Sequence, residues 1–424
     1  MKLYHLFLVL IFSELCAAEP LRFSISDENQ YFYLNPKNSA NFYSKLEIKS
    51  FGAFEFTDDH SFKYDATINY VHLSKQDLKK ATLIPNRFGL FGSFAFLDYQ
   101  LGFWQHSAEG TDLNNLFDVV HGKDYRNPFS SENLSAAGLH LSASFDLLNW
   151  RLFFIPQNVK SILPDTQSPW WPRTDALPIT NSSGTFNLPD NVSYRFRNES
   201  EYRMPFANNW GGTAKLSFDN FEMHLMYFSG ASQIPQISPH FNIDVTSVTP
   251  LVGVVRPPIE LDVTWIRAQH GGVGLSSVLG SYIVKAFCKN QKTFSVNETE
   301  ATSCNGAIES SLAIGKKTIR YFLQTNRLWK KVDTNSELET LLGFFEKSTA
   351  VGFLLEFNPE NIFSGVAVYN EKSPSVLTSA RYEKKWSDSF RTTLGLNLIS
   401  AQSEPLAKAY DQTDNASLKF TYDF

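Results

Sequence analysis

The C-terminal stretch Asn415–Phe424 reads N-A-S-L-K-F-T-Y-D-F and decides the fold class. Apolar and polar side chains alternate along it, and the apolar ones are Ala416, Leu418, Phe420, Tyr422 and Phe424. Because successive side chains of a strand point to opposite faces, this segment predicts a strand with one apolar and one polar face. Its length is close to the roughly 9–11 residues that a tilted strand needs to cross a bilayer. The chain is therefore expected to cross a membrane with strands.

The N-terminus predicts export. Lys2 supplies a positive charge, the run Leu3–Leu15 is mostly apolar, and Cys16-Ala17-Ala18 offers small residues for cleavage after Ala18. A lipoprotein processed at Cys16 is the weaker alternative, because Leu15 is bulky where a small residue is wanted. No later run of 18 or more apolar residues predicts a membrane helix. We therefore expect a signal peptide at residues 1–18 and one barrel domain at residues 19–424.

The composition suits a membrane barrel better than a soluble enzyme. Aromatic residues make up 15% of the chain, with 37 Phe, while charged residues make up only 19%. A barrel places apolar residues toward lipid, aromatic girdles at both interfaces and polar residues in the lumen. The net charge of -5 and the lack of basic clusters argue against a nucleic-acid partner.

The connections between alternating segments predict how the barrel is threaded. Short turns rich in Gly, Asn, Asp and Pro fall at Thr57–His60, Leu97–Asp98, Asp146–Asn149, Asp219–Asn220, Gln269–Gly272, Gly315–Thr318, Asn358–Asn361 and Lys385–Asp388. Longer polar stretches lie between them, near residues 75–85, 107–133, 157–208, 230–256, 288–306, 328–348 and 401–413. Short periplasmic turns alternating with long extracellular loops are typical of outer-membrane barrels. The prediction is an all-β, antiparallel, up-and-down transmembrane barrel of about 18 strands, with 16 as the alternative if a hairpin such as Arg87–His106 is misread.

The aromatic C-terminus adds a prediction about assembly. Outer-membrane barrels typically close with an amphipathic strand that ends on an aromatic residue, and Tyr422 and Phe424 resemble the signal that the β-barrel assembly machinery reads. We expect this machinery and outer-membrane lipid to be partners of the chain, and the bacterial outer membrane of a Gram-negative cell to be its location.

Two cysteines remain after the predicted cleavage, Cys288 and Cys304. In an exported chain such a pair predicts a disulfide closing a loop of about 15 residues, with two free thiols as the alternative. Neither a CxxC pair nor an HExxH motif occurs, so no metal site and no cofactor are predicted.

The stretch Tyr99–Pro156 resembles the alginate-export family and its uncharacterised outer-membrane porin relatives. The matching residues are the strand Leu101–Gln105, the Asp/Asn-rich segments Asp112–Val120 and Asp124–Phe129, and a strand from Trp150-Arg151 to Ile155-Pro156. This resemblance implies a single-chain porin that passes an anionic polymer or small hydrophilic solutes. Alginate itself is not carried over, because the dense lumen arginines it would need are not seen.

If the apolar faces contact lipid, the opposite faces line a pore. The predicted pore-lining residues are Lys45, Lys63, Asp65, His140, Arg151, Lys215, Glu222, Glu260, Asp262, Arg320, Arg391 and Lys419, beside Glu47, Lys49 and His224. Basic residues outnumber acidic ones in this set, which predicts weak selectivity with a mild preference for anions. The alternative for any one of them is a solvated wall position with no individual role.

Two loops carry further candidates. The loop 107–133 is predicted to fold into the lumen as a constriction through Asp112, Asp118, Asp124 and Arg126, and its alternative is an ordinary outer loop. In the longer loop, Trp170 and Trp171 are interpreted as packing the loop onto the rim, with stacking on a sugar ring as the alternative.

The sequence thus predicts a channel for passive diffusion of small hydrophilic solutes, anions included. The alternative is a surface-exposed binding or adhesion protein anchored by the same barrel. Catalysis is not expected, because no nucleophile with a nearby base can be named; Asp58-Asp59-His60 lies in a predicted turn, and no G-x-S-x-G elbow is present.

Overall fold

Antiparallel strands joined edge to edge form the main body of the molecule. The computed structural model describes residues 22–33, 41–73, 76–106, 108–111, 113, 115–127, 131–157, 160–165, 168–171, 184–187, 194–198, 207–233, 235–248, 251–294, 300–315, 317–330, 347–371, 374–401, 410 and 413–424. The predicted signal peptide, residues 1–18, lies outside them. Within these ranges, no helix has the length and apolar character needed to cross a membrane.

An 18-stranded sheet contains most of the strands. Its members are β1 (Arg22–Phe32), β2 (Phe42–Thr57), β3 (His60–Leu73), β4 (Gln76–Phe94), β5 (Leu97–Trp104), β8 (Ala136–Ser144), β9 (Leu148–Gln157), β12 (Ala207–Ser217), β13 (Phe221–Ala231), β16 (Arg267–Leu279), β17 (Tyr282–Phe294), β18 (Glu300–Ile314), β19 (Lys317–Lys330), β20 (Lys347–Asn358), β21 (Asn361–Asn370), β22 (Ser375–Lys385), β23 (Phe390–Ala401) and β24 (Asn415–Asp423). The remaining strands are β6 (Lys123–Asp124), β7 (Glu132–Asn133), β10 (Gly184–Asn187), β11 (Tyr194–Asn198), β14 (Gln236–Val248) and β15 (Leu251–Thr264).

The first and last strands close the sheet into a barrel. β1 pairs antiparallel with β24, with Ser24 opposite Asp423 and Phe32 opposite Asn415, while its other edge pairs with β2. The backbone N–H of Phe424 donates to the carbonyl of Phe23 at 2.8 Å, so pairing continues to the last residue. The predicted 18-stranded antiparallel barrel is confirmed. The hairpin of β4 and β5 is also formed, which excludes the 16-stranded alternative.

Burial around the barrel is inverted relative to a soluble protein. Polar side chains such as Gln30, Asn69 and Gln324 are buried, whereas large apolar side chains such as Leu83 and Val351 are more than half exposed. A closed sheet with an apolar outer face and a polar inner face is the arrangement that a lipid bilayer stabilises. Phe420 and Tyr422 on the closing strand lie on the outer face, as its alternation predicts.

The barrel has two different ends. We call the end with the chain terminus Phe424 and short turns, such as residues 58–59 and 218–220, the turn end. The opposite end, where β5 and β9 end and β8 and β12 begin, is the loop end. Most predicted turns fall where the sequence places them. The connections at the loop end are not uniformly long, because only two residues separate β3 from β4 and only four separate β21 from β22.

One predicted turn is wrong and another is displaced by two residues, since Leu97–Asp98 begins β5 and the chain turns at residues 95–96. Gln269–Gly272 lies inside β16, and the chain instead turns between Leu279 and Tyr282, where Gly280 adopts a φ of 64°. The glycines of the predicted turn have another physical role. A Cβ built on Gly272 would lie 2.5 Å from the ring of Phe117, a residue of the 105–135 segment, so the small residue leaves room for that ring.

Two predicted loops are also corrected. Residues 288–306 are mostly wall, because β17 continues to Phe294 and β18 begins at Glu300. Residues 75–85 are likewise mostly wall, because β4 begins at Gln76. Alternation continues through these polar stretches, and a polar lumen makes composition a poor guide to where a barrel strand ends.

A separate four-stranded sheet corrects the predicted place of Glu260 and Asp262, which lie in the segment Ile259–Trp265. This segment belongs mostly to β15, which pairs with β14 antiparallel and with β10 and β11 in parallel. Glu260 and Asp262 therefore lie on this smaller sheet and not on the barrel wall. Ile259 and Leu261 are buried, and such alternation is shared by any half-buried strand. The loops predicted at 157–208 and 230–256 supply the strands of this sheet.

Candidate functional site: the barrel lumen

The inner face of the wall carries most of the predicted pore-lining residues. In each strand these residues share the face of buried neighbours such as Tyr43, Asn69, Phe153, Asn397 and Asn415. The residues placed there by strand alternation are Lys45, Lys63, Asp65, His140, Arg151, Lys215, Glu222, Arg320, Arg391 and Lys419.

Ion pairs connect many of the charged groups on this face. Lys49 lies 3.2 Å from Asp65, Lys215 lies 3.3 Å from Glu222, and Lys45 lies 3.1 Å from Glu47. Nearer the turn end, Arg320 pairs with Glu356 and Arg391 with Asp423, each at 3.5 Å. Acidic and basic side chains that are paired in this way on the inner face produce a weak net field in the lumen. Such a field fits the prediction of weak selectivity.

We call the segment between β5 and β8, residues 105–135, the inner loop, and its described residues lie against the inner face of the wall. Its apolar side chains Leu116, Phe117, Val119 and Val120 are buried in one cluster with inward-facing wall residues. The wall contributes Trp104, Ala136, Phe153, Ile155, Met226, Phe228 and Phe287 to this cluster. The rings of Phe117 and Phe287 meet edge to face with their centroids 5.1 Å apart. An apolar cluster inside a polar lumen anchors the loop to β5, β8, β9, β13 and β17.

Polar contacts extend the loop toward other strands. The backbone N–H of Leu113 donates to Gln324 Oε1 on β19 at 3.3 Å, and Asn305 Nδ2 on β18 donates to Thr111 Oγ1 at 2.7 Å. Leu113 also packs against a cluster around Ala350 and Val368 on β20 and β21. The loop therefore reaches a sector of the wall well beyond the strands that flank it.

The second half of the loop contacts the strands on the other side. Glu132 lies 3.9 Å from Lys45 on β2. A small polar cavity is lined by loop and wall residues together, namely Glu28, Tyr43, Lys45, Asp124, Arg126, Asn127 and Glu132. Since the same loop touches β19 to β21 at one end and β1 and β2 at the other, it runs across the lumen.

The structure places the predicted constriction residues inside this crossing segment. Arg126 Nε donates to both carboxylate oxygens of Asp124, at 2.9 and 3.1 Å. Burial opposes the charge on Arg126, but its hydrogen bonds to Asp124 outweigh this effect and raise its pKa. Asp118 pairs with Lys123 at 2.8 Å. Asp112, the fourth candidate, lies outside the described residues.

Residues 160–165 and 168–171 form a second layer on the inner loop. The backbone of Ile162 accepts from Tyr125 and donates to Lys123, each at 2.8 Å. Trp170 packs edge to face on Phe32 with centroids 5.1 Å apart, and its Nε1 donates to Gln30 Oε1 at 3.0 Å. Trp170 and Trp171 are both buried, so they pack the loop against the barrel and do not present a stacking platform for a sugar.

A histidine cluster at the root of the inner loop was missed by the sequence analysis. His106 and His121 of the loop and His140 of the wall surround the ring of Trp104, at centroid distances of 6.3, 5.5 and 5.0 Å. The backbone N–H of His106 donates to His121 Nε2 at 2.6 Å. Burial lowers the pKa of His106 to about 3 and that of His121 to about 4, so both are neutral at pH 7. Three isolated histidines carry no sequence pattern that would reveal this contact.

The predicted disulfide is formed, but in the wall. Cys288 on β17 lies directly opposite Cys304 on β18, and alternation relative to buried Phe287 and Asn305 turns both toward the outer face. The bond therefore joins two neighbouring strands and does not close an outer loop.

Comparisons with known proteins support the fold. No protein-family model matches the sequence, and no curated protein matches it. The solved structure of a BenF-like porin from Pseudomonas fluorescens Pf-5 is similar, with a TM-score of 0.53 and 11% identity over 96% of this chain and 98% of that one. OccK2 of Pseudomonas aeruginosa, solved in complex with glucuronate, has a TM-score of 0.53 and 9% identity over 96% and 97% of the two chains. The closed 18-stranded antiparallel barrel of this chain thus matches the fold of outer-membrane porins.

Proposed function

We propose that the chain forms a channel in the bacterial outer membrane for passive diffusion of small hydrophilic solutes. The observation that carries this proposal is a polar inner face in a closed barrel whose lumen is crossed by its own loop. Large barrels with such a face enclose water, and an inward-folded loop then sets how wide a solute can be.

The outer face supports the outer-membrane location. Exposed aromatic rings lie near the turn end, including Phe94, Phe96, Phe145, Phe218, Phe221, Tyr282, Trp386 and Phe424. A second set lies nearer the loop end, including Tyr31, Trp210, Tyr227, Trp329 and Tyr369. Two aromatic girdles separated by an apolar band are typical of barrels in bilayers.

The charges of the lumen support a mild preference for anions. With Glu260 and Asp262 removed from the wall, basic residues outnumber acidic ones more clearly among the predicted pore-lining positions. The preference is mild because Lys49, Lys215, Arg320 and Arg391 lie in ion pairs.

Export and assembly complete the proposal. Residues 1–18 act as a cleaved signal peptide, and Tyr422 with Phe424 forms the signal read by the assembly machinery. Pairing of Phe424 with Phe23 places the terminal aromatic residue where the barrel closes. Deletion of Phe424 should lower the amount of heat-modifiable protein in the outer membrane. Unchanged levels would contradict this assignment.

Conductance in a planar bilayer tests the channel. Purified protein should insert with stepwise increases in current, and the reversal potential in a KCl gradient should show a small excess of Cl⁻ over K⁺ permeability. A barrel that inserts, judged by heat modifiability, and yet carries no current would overturn the proposal.

The alternative is a surface binding or adhesion protein, and the four-stranded sheet at the loop end is the observation that favours it. β14 and β15 form a long hairpin outside the barrel wall, joined by β10 and β11. Replacement of residues 236–264 by a short Gly-Ser linker separates the two functions. A channel should keep its conductance after this change, whereas a binding protein should show a sealed barrel before and after it.

A further inference from the structure

Two carboxylates and an imidazole meet where the inner loop touches the wall between β12 and β16. Glu109 belongs to the loop, while Glu222 and His224 belong to β13. His224 Nδ1 lies 3.4 Å from Glu109 Oε2, and His224 Nε2 lies 3.7 Å from Glu222 Oε2. Each residue offers one ligand atom such that all of these atoms lie within 4.8 Å of one another. The cluster is thus built by the loop and the wall together.

A lysine ammonium already pairs with both carboxylates of this cluster. Lys215 Nζ lies 3.1 Å from Glu109 Oε1 and 3.3 Å from Glu222 Oε1. Two carboxylates share one ammonium, so these three groups together carry one negative charge. His224 also contacts Ser276 Oγ at 3.1 Å, and the nearby Lys285 is held by Glu309 at 2.7 Å. Electrostatics therefore favours a divalent cation over the single charge of the Lys215 ammonium at this position.

The accessibility of the cluster fits an ion that enters from the lumen. The side chain of His224 is 6% exposed, whereas those of Glu109 and Glu222 are 50% and 37% exposed. One side is therefore closed by the wall and the other is open to water. One imidazole with two carboxylates is a donor set that suits Zn²⁺ and neighbouring divalent transition metals.

We propose that Glu109, Glu222 and His224 bind a divalent transition-metal ion, for which Zn²⁺ is the probe. The ion takes the position between the carboxylates, and the ammonium of Lys215 moves into the water of the lumen. Two carboxylates then balance the two charges of the ion. Because the ligands come from the loop and from β13, the bound ion ties the inner loop to the wall. A resulting block of current rests on the proposed channel function, whereas the binding itself does not.

Calorimetric titration of the folded barrel in detergent with Zn²⁺, at constant pH 7, tests the binding directly. One saturable site is expected for the wild type. Glu109→Gln and Glu222→Gln should each weaken binding by roughly tenfold or more, since loss of even an outer partner of a metal ligand costs about that much. Glu309→Gln is the matched control, because it removes a carboxylate from another Lys–Glu pair of the wall and should leave binding unchanged.

Lys215→Met distinguishes a metal site from an ion-pair contact. Removal of the competing ammonium should tighten Zn²⁺ binding, although, like Glu109→Gln, it breaks the ion pair between Lys215 and Glu109. Absence of a saturable site in the wild type, or equal affinity in the wild type and Glu109→Gln, would overturn the proposal. In bilayers, Zn²⁺ should lower the current of the wild type and not that of Glu109→Gln. A protein that binds Zn²⁺ but conducts no current would refute the channel and leave the metal site standing.

Discussion

The barrel wall and the inner loop that crosses it are held by different forces. Each wall strand is paired by backbone hydrogen bonds on both edges, so its position does not depend on any single side chain. Within its described residues, the inner loop has only the two-residue strands β6 and β7 and is held by side chains such as Phe117 and Asn305. Substitutions in the wall are therefore expected to be buffered by strand pairing, whereas substitutions at a few side-chain contacts are expected to release the inner loop.

The largest effect is expected from removal of the loop. Replacement of residues 109–127 by a short Gly-Ser linker should raise single-channel conductance by about a factor of two or more, because most of the segment that crosses the lumen is then absent. The wall should remain folded, since its strands pair without the loop. Bilayer recordings measure the first effect and heat modifiability the second. Equal conductance with and without the segment would show that it does not narrow the pore.

The second-largest effect is expected from Phe117→Ala. This ring is buried against Phe287, and truncation of a buried Phe costs about 3–5 kcal/mol of local packing. The loop should detach for part of the time, which adds open-channel noise and raises the mean conductance. Phe88→Ala is the control, because Phe88 is 51% exposed on the outer face. If both variants conduct alike, the apolar anchor is not what holds the loop.

A smaller effect than that of Phe117→Ala is expected from acid, which should weaken the contact of the inner loop with the wall. Burial lowers the pKa values of His106 and His121 to about 3 and about 4, against an ordinary value of 6.5. In a detached loop the two histidines would be protonated at a higher pH than in the docked loop. Docking is therefore fully stable above about pH 6.5 and loses stability as the pH falls toward 4. Arg151 adds to the shift at His106, while Asp118 and Lys123 act in opposite directions on His121.

Conductance recorded from pH 7 to pH 4 checks this sign and should rise on acidification. His121→Gln should flatten the profile, because an amide keeps an acceptor for the His106 N–H without titrating. His240→Gln, on the outer sheet, is the control and should keep the wild-type profile. A fall in conductance on acidification would contradict the expectation.

The smallest effect is expected from a pair of neighbouring glycines in β16. Gly272→Ala places a Cβ 2.5 Å from the ring of Phe117, and such overpacking costs about 1–3 kcal/mol. Gly271→Ala meets no atom within 4 Å. Gly272→Ala should therefore raise conductance slightly and Gly271→Ala should not. Identical traces for the two variants would place Phe117 elsewhere in solution.

The wall could be predicted because apolar and polar side chains alternate along its strands with a period of two residues. In Asn415–Phe424 the alternation sets which side chains face lipid, and the closing strand has this arrangement in the structure. The number of strands followed from the alternation of short and long connections. The turn assigned to Gln269–Gly272 was displaced because glycine signals a turn and also a close approach, and sequence alone does not separate the two.

The lumen was less predictable because its contacts are long-range. Asp124 and Arg126 could be chosen as polar residues of a long loop, but their burial beside Tyr43 of β2 and the contact of Glu132 with Lys45 depend on the folded barrel. The gathering of His106, His121 and His140 depends on it as well. Glu260 and Asp262 show the converse error, because β15 has the alternation of a wall strand without being one.

The bond between Cys288 and Cys304 has a consequence for the stagger of the whole sheet. The two cysteines face each other across β17 and β18, and a slip of one residue would turn one of them to the opposite side. Oxidation is therefore compatible with one alignment of this hairpin only. The bond therefore fixes the stagger between β17 and β18, which is one of the strand offsets that together set the tilt of the closed barrel.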